Sequence, residues 1–302
     1  NDLNIIILAA GQGKRLSPLT NNKPKCMVDL FGKTLLEWQV SIFKKCGITD
    51  ISVVTGYRSE LIDLPGLIKD AWKGKGLGNQ FLSIAAQSDA LLHVVDASGG
   101  IDSTGKITEI GTGDPISDFA DIEEELIMWY HKILEGNREK ISKLIRNGSD
   151  ILDAITDLYR GIGVNKNQVK DTLFATGLEE KDFDNFDMVD SKKFTSHLRK
   201  ISKPTLIVAN KIDVEGADKN FARLRERYND SIIIPVSGDS EFSLRRAEQK
   251  GLIKYSPGSE QFEIIKSDEL NEKQINALDF IKKGIMGEYM RTGVQFAINV
   301  AV

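Results

Sequence analysis

Apolar residues in this chain fall into two kinds of run. Short continuous runs occupy 4–10 (NIIILAA), 51–55 (ISVVT), 90–95 (ALLHVV), 206–209 (LIVA) and 231–236 (SIIIPV). Each has the length of a strand covered on both faces, and each empties into a polar or glycine-bearing loop. Between them the apolar positions recur at helical spacing. Leu35, Leu36, Trp38, Gln39, Ile42 and Phe43 form one such group, with Gly47 as its stop. Ile122, Leu126, Trp129, Tyr130, Ile133 and Leu134 form another, and 141–155 and 194–201 continue that pattern with many surface charges. The acidic, phenylalanine-bearing stretch 183–194 is expected to be a loop packed on those helices. Strands alternating with helices predict an α/β fold, with a mostly parallel sheet, flanking helices and an inserted helical lobe.

The chemistry-bearing residues sit where the strands end. The first run opens into Gly11-Gln12-Gly13-Lys14-Arg15, with Lys25 beyond it in Lys23-Pro24-Lys25. Glycines there let backbone N–H groups approach phosphate, and the cations supply charge. The stretch 63–99 starts with Asp63-Leu64-Pro65-Gly66, continues through a glycine loop at 74–78 and ends in a strand finishing on Asp96. The strand at 206–209 delivers Asn210-Lys211-Ile212-Asp213 at its carboxyl end, where ligands bind in such sheets. A carboxylate there can accept from guanine N1–H and N2–H2 together, which adenine cannot offer. The run 231–236 ends in Ser237-Gly238-Asp239. His131 and His197 stand apart from any such grouping and are expected in packing or polar-face roles.

A P-loop requires Gly-x-x-x-x-Gly-Lys-Ser/Thr to cradle the β- and γ-phosphates. Of the Gly-Lys pairs, only Gly32-Lys33-Thr34 ends correctly, and Met27 occupies the place of its first glycine. The 302 residues therefore contain no P-loop, and no switch segment with a Mg²⁺-binding threonine is recognisable.

The pattern LAAGxGxRxxPxTxxxPK, extended by GKTLLEWQ at 32–39 and ITDISVVTGY at 48–57, resembles the N-terminal portion of sugar-phosphate nucleotidyltransferases. That resemblance implies a Rossmann-like βαβ segment over residues 1–60. Gly11, Gly13, Arg15 and Lys25 would hold an NTP triphosphate, and Gly32-Lys33-Thr34 would open a helix. Asp96, at a strand end, is the tempting place for such an enzyme's metal-binding aspartate. From 61 onward, DLPG, GKGLGNQFL at 74–82, DALLHVVDASG at 89–99, NKID and the stretches 113–130, 243–262 and 292–302 resemble the Obg-related translation-factor GTPases of the archaeal, NKxD-bearing branch. The implied organisation is a G domain in two pieces, 61–117 and 201–302, around a helical insertion, 118–200. Asp63 would reach Mg²⁺ through water, and the Gly66 N–H would contact the γ-phosphate. Asn210 would brace the base loop, Lys211 would lie along the base, Asp213 would read it, and Ser237 and Gly238 would stand behind it. Leu67 takes the place of a water-orienting glutamine, so hydrolysis would be slow or partner-dependent. The resemblance also implies a ribosomal partner and a small β-rich domain after Val302.

Composition narrows the choice of partners. With 41% apolar and 28% charged residues and a net charge of −4, the chain carries no global footprint for nucleic acid, and no sequence-specific nucleic-acid binding is expected. No apolar run approaches the roughly 20 residues that cross a bilayer, and no secretion signal is read. Two cysteines, Cys26 and Cys46, make no disulfide framework. A cytoplasmic protein is expected. The segment 58–63 would start a helix in one resemblance and a strand in the other, and local preferences that contradict the global plan indicate a seam. Three readings follow. One is a GTP-binding protein impaired by the missing P-loop, and another a nucleotidyltransferase using the N-terminal loop. The third is an inactive chimera, from a natural fusion, a gene-assembly artefact or an engineered joining.

Overall fold

A computed structural model of the chain describes residues 88–101 and 107–301, together with four short N-terminal strands. The chain divides into two compact units, Asn1–Pro65 and Gly66–Val302. In the first, β1 (Ile5–Leu8) pairs in parallel with β4 (Ile51–Val54), matching the expected βαβ ends. The helix expected between them lies outside the described residues. Lys33–Thr34 does not open a helix. It forms β3, antiparallel to β2 (Asp29–Leu30), with two residues between them.

The second unit is built on the parallel sheet β5–β6–β7, comprising Leu91–Asp96, Thr205–Asn210 and Ile233–Pro235. Its register sets Asp96 beside Asn210 and Ala209 beside Pro235, so three strand ends share one edge. Side chains alternate between the faces with the strand period of two. Val95, Ile207 and Ala209 pack with Phe119, Ala217 and Leu224 on one face. Leu206, Val208, Ile234 and Val236 pack with Ala297 on the other. Both faces of the central strand are thus covered by helices. The run ending at Val95 is less enclosed than its sequence suggests, since Val94 is 59% exposed.

Helix α1 (Pro115–Gly136) starts at an Asp114 cap with proline in its first turn. Its early turns give Phe119 to the sheet, and its later turns give Tyr130 and Leu134 to a separate helical core. That core is completed by α2 (Arg138–Arg146), α3 (Ile151–Tyr159), α4 (Lys166–Thr176) and α5 (Met188–Ser202). The pattern read as continuous over 141–155 is broken at Gly148, whose φ of 93° suits a turn rather than a helix. The stretch 183–194 is only partly the expected loop. A short 3₁₀ turn, Phe183–Asn185, precedes α5, whose start is fixed by a reciprocal cap between Asp187 and Asp190. Phe183, Phe186 and Phe194 are all buried in the helical core. Tyr159 donates to the Tyr130 carbonyl at 2.7 Å, and Tyr130 shares a 2.9 Å bond with Ser202, which satisfies both phenols inside that core.

Beyond the sheet, α6 (Ala217–Arg227) follows β6 and α7 (Gly238–Gln249) follows β7. A hairpin of β8 (Ile253–Lys254) and β9 (Glu263–Ile264) then packs with α8 (Glu272–Phe280). A π-turn at Ile281–Ile285, the short α9 (Met286–Tyr289) and α10 (Val294–Ala301) complete the unit. Among the described residues no helix is long and apolar enough to cross a membrane.

Helical core and sheet are joined through α5. Arg199 on that helix donates to Glu123 on α1 at 2.6 Å, to Thr205 on β6 at 2.7 Å and to the Lys203 carbonyl at 2.7 Å. His93 on β5 lies nearby, 5.0 Å from the Phe119 ring. Burial, then the Arg199 charge, lowers the His93 pKa to about 4. The folded protein thus holds His93 neutral, while the unfolded chain takes up its proton near 6.5. Stability from this group is complete above about pH 6.5 and declines as the pH falls towards 4, with a ceiling of about 3 kcal/mol. The raised Glu123 carboxyl acts in the opposite sense. The difference between wild type and His93→Gln in denaturant melts at pH 7 and pH 4.5 therefore isolates the histidine. The variant should lose less stability on acidification, and equal losses would refute the assignment.

Candidate base-recognition site

The loops after β5, β6 and β7 meet at the carboxyl edge of the sheet. Asn210 is the last residue of β6, and its side-chain Oδ1 accepts from the Gly238 N–H at 3.1 Å, bridging the second loop to the third. Ile212 pins the tetrapeptide. Its side chain is buried in the sheet core, and its N–H donates to the Val236 carbonyl at 3.1 Å. An apolar residue inside a polar loop is the sequence signal for that anchor. Lys211 pays for the resulting path with a left-handed φ of 62°. Such a conformation costs a non-glycine residue roughly 1–2 kcal/mol and persists where neighbours over-determine it.

One of those neighbours is Asp96. The Lys211 ammonium lies 2.6 Å from Asp96 Oδ2, with side-chain exposures of 42% for the lysine and 5% for the aspartate. Asp96 Oδ1 accepts from the Ser98 N–H at 3.0 Å and its hydroxyl at 2.6 Å. Burial works to raise the Asp96 carboxyl, but the hydrogen bonds from Lys211 and Ser98 outweigh it and hold it below its ordinary value. A carboxylate so engaged positions a lysine and closes a turn, which is not the disposition of an open metal ligand. The backbone beyond it is packed closely: Gly99 has a φ of 64°, and a Cβ there would stand 2.6 Å from the Gly113 carbonyl.

Asp213 occupies the turn between β6 and α6, and no side chain among the described residues holds its carboxylate. Ser237 is not in an open loop. It caps α7, accepting from the Ser240 N–H at 3.1 Å, and Gly238 is the helix's first residue. The structure therefore brings Asn210, Lys211, Ser237 and Gly238 together, with Asp213 three residues along the same turn. Asp63, Gly66, Gly11, Gly13, Arg15 and Lys25 lie outside the described residues. So does the Mg²⁺ position expected at Asp63. No group of three or more potential metal ligands occurs among the described residues. His197 shares a 3.3 Å contact with Thr172, and the buried His131 Nδ1 has no partner there, so neither joins this edge.

A doubly covered parallel sheet with Asn-Lys-x-Asp at the end of its central strand is the base-side arrangement of the GTP-binding α/β proteins. Comparison with known proteins agrees. Residues 208–302 match the family described as "Obg-like GTPase YGR210-like, G4 motif-containing domain", and residues 5–95 match the "MobA-like NTP transferase domain". The C-terminal third of the chain is thus similar to an Obg-like GTPase domain, and its N-terminal third to an NTP-transferase domain. An uncharacterized GTP-binding protein of Methanocaldococcus jannaschii is 36% identical over 260 residues, covering 85% of this chain and 64% of the relative. A crystal structure of a GTP-binding protein from Pyrococcus horikoshii is similar with a TM-score of 0.59 and 33% identity, over 74% of this chain and 59% of that one. The CTP:phosphoglutamine cytidylyltransferase of Campylobacter jejuni is 45% identical over 60 residues, which is 20% of this chain and 24% of the enzyme. The chain spans less than two thirds of each of these proteins. The transferase match ends at residue 95, one short of Asp96.

Proposed function

We propose that the chain binds guanine nucleotide through the edge formed by Asn210, Lys211, Asp213, Ser237 and Gly238, with affinity well below that of a GTPase carrying a P-loop. The observation that carries this reading is the Asn210–Gly238 hydrogen bond, which fixes the two loops on adjacent strands beside an Asp213 carboxylate that no described side chain engages. In this reading Asp213 accepts from guanine N1–H and N2–H2, and Lys211 lies along the base. The residues that would hold the phosphates are fewer. Asp63 has the hard oxygen chemistry that suits Mg²⁺, and Gly66 would offer its N–H to the γ-phosphate. A lysine-bearing cradle is lacking in the 302 residues. Calorimetry of the purified chain with Mg²⁺ and GTP should therefore give a dissociation constant in the micromolar range or weaker. Nanomolar binding would overturn the claim of impairment. A ribosomal partner is carried by the family resemblance alone.

A second reading rests on the parallel β1–β4 pair within the segment matching the transferase domain. It makes Gly11, Gly13, Arg15 and Lys25 an NTP loop and predicts pyrophosphate release with Mg²⁺, an NTP and a phosphorylated sugar or alcohol. The engagement of Asp96 by Lys211 and Ser98 weighs against it, because it leaves that strand-end carboxylate committed. Absence of pyrophosphate release across common acceptors would remove it.

A further inference from the structure

We infer that Glu241 is a positioning residue that holds the third loop of the proposed guanine site in register with the second. The inference rests on that reading of the site, but its first test does not. Glu241 lies in the first turns of α7 and is 4% exposed. Its Oε2 accepts from the Thr292 hydroxyl at 2.5 Å and from the Tyr255 hydroxyl at 2.7 Å, and its Oε1 from Arg245 Nε at 2.5 Å. Thr292 is itself buried, and its carbonyl accepts from the Ser237 N–H at 2.9 Å. The relay therefore runs from Glu241 through Thr292 to Ser237, and from Gly238 to Asn210. The next residue leaves no slack. Gly293 has a φ of 83°, and a Cβ there would stand 2.0 Å from the Pro235 carbonyl at the end of β7.

A buried carboxylate is expensive unless its oxygens accept hydrogen bonds, and three donors reach these two oxygens. What the charge secures is direction. It fixes the Thr292 side chain and hence the carbonyl that receives Ser237. Glutamine in its place keeps the size but offers one acceptor and one NH2 group to three donors, so the relay loses its end point.

The test compares wild type, E241Q, T292V and T292S by hydrogen exchange at assigned amides, with competition binding of GTP and ATP alongside. E241Q and T292V should speed exchange at Ser237 by about 10-fold relative to Val169 in the helical core, while T292S, which keeps the hydroxyl, stays near wild type. The preference for GTP over ATP should fall by about 5-fold or more in the same two variants. Unchanged exchange at Ser237, equal acceleration at Ser237 and Val169, or a T292V that behaves as wild type would each overturn the inference. If wild type shows no guanine preference, the proposed site fails, and the exchange measurements still decide the role of Glu241 in holding the loop.

Discussion

Replacing Asp213 with asparagine should weaken GTP binding by about 10- to 100-fold and leave ATP binding unchanged. The expected loss follows from about 1–3 kcal/mol for a well-placed bidentate contact to a base edge. An aspartate offers two acceptors to the N1–H and N2–H2 donors of guanine. An asparagine offers one acceptor and turns an NH2 group towards another NH2. Xanthine carries a carbonyl at that position, so the same variant should gain affinity for XTP. Competition binding with GTP, ATP and XTP measures all three. The isosteric change leaves Asn210, Ile212 and their bonds in place, so a general loss of fold is not expected to confuse the result. Equal weakening of GTP and ATP, or no change in either, would take Asp213 out of the site.

The second large effect concerns the joint between helices and sheet. Arg199 is 2% exposed and faces Glu123, whose carboxyl is raised by burial despite the neighbouring guanidinium. Burial lowers the pKa of Arg199 as well. Burial thus opposes the charge on both partners, while their mutual attraction opposes burial. Removing one partner is worse than removing both. Arg199→Ala should therefore cost about 3–5 kcal/mol in denaturant unfolding, because it leaves the Glu123 carboxylate without its cation and the Lys203 carbonyl without its Arg199 donor. The double replacement Arg199→Met with Glu123→Leu should recover most of that loss. A single variant within 1 kcal/mol of wild type would show that the joint is not held here.

Much of this architecture is legible in the order of residues. The run LIVA announces a buried strand because both faces of the central strand are covered and no polar side chain interrupts it. NKID is recognisable because the loop follows such a strand at once. The helical face from Ile122 to Leu134 is equally plain. What escapes is either masked by local chemistry or made by distant partners. The start of α5 is hidden because Asp187 and Asp190 form a capping box with an aspartate where glutamate or glutamine is the familiar sign. Helix α4 has few apolar positions to set it apart from its flanking loops. Lys33–Thr34 sits in a motif that suggested a helix, and only its pairing with Asp29–Leu30 reveals a strand.

The contacts that shape the site are the least visible. Lys211 and Asp96 are 115 residues apart, and Glu241 and Thr292 are 51 apart. Neither pair has a periodic signature. Glu241 stands in the polar stretch Gly238–Glu241, yet it is buried against three donors. Asp96 was a plausible metal ligand on sequence position alone, and its engagement by Lys211 becomes apparent only when β5 and β6 lie side by side.

Guanine recognition by these 302 residues can be read from a single nucleotide titration. The purified chain would be titrated with GTP, ATP, CTP and UTP, each with and without Mg²⁺. A weak response that favours GTP over the other three is the result expected from the Asn210–Asp213 loop. Equal responses to all four, or a preference for a pyrimidine nucleotide, would contradict it and place any nucleotide binding with the N-terminal segment.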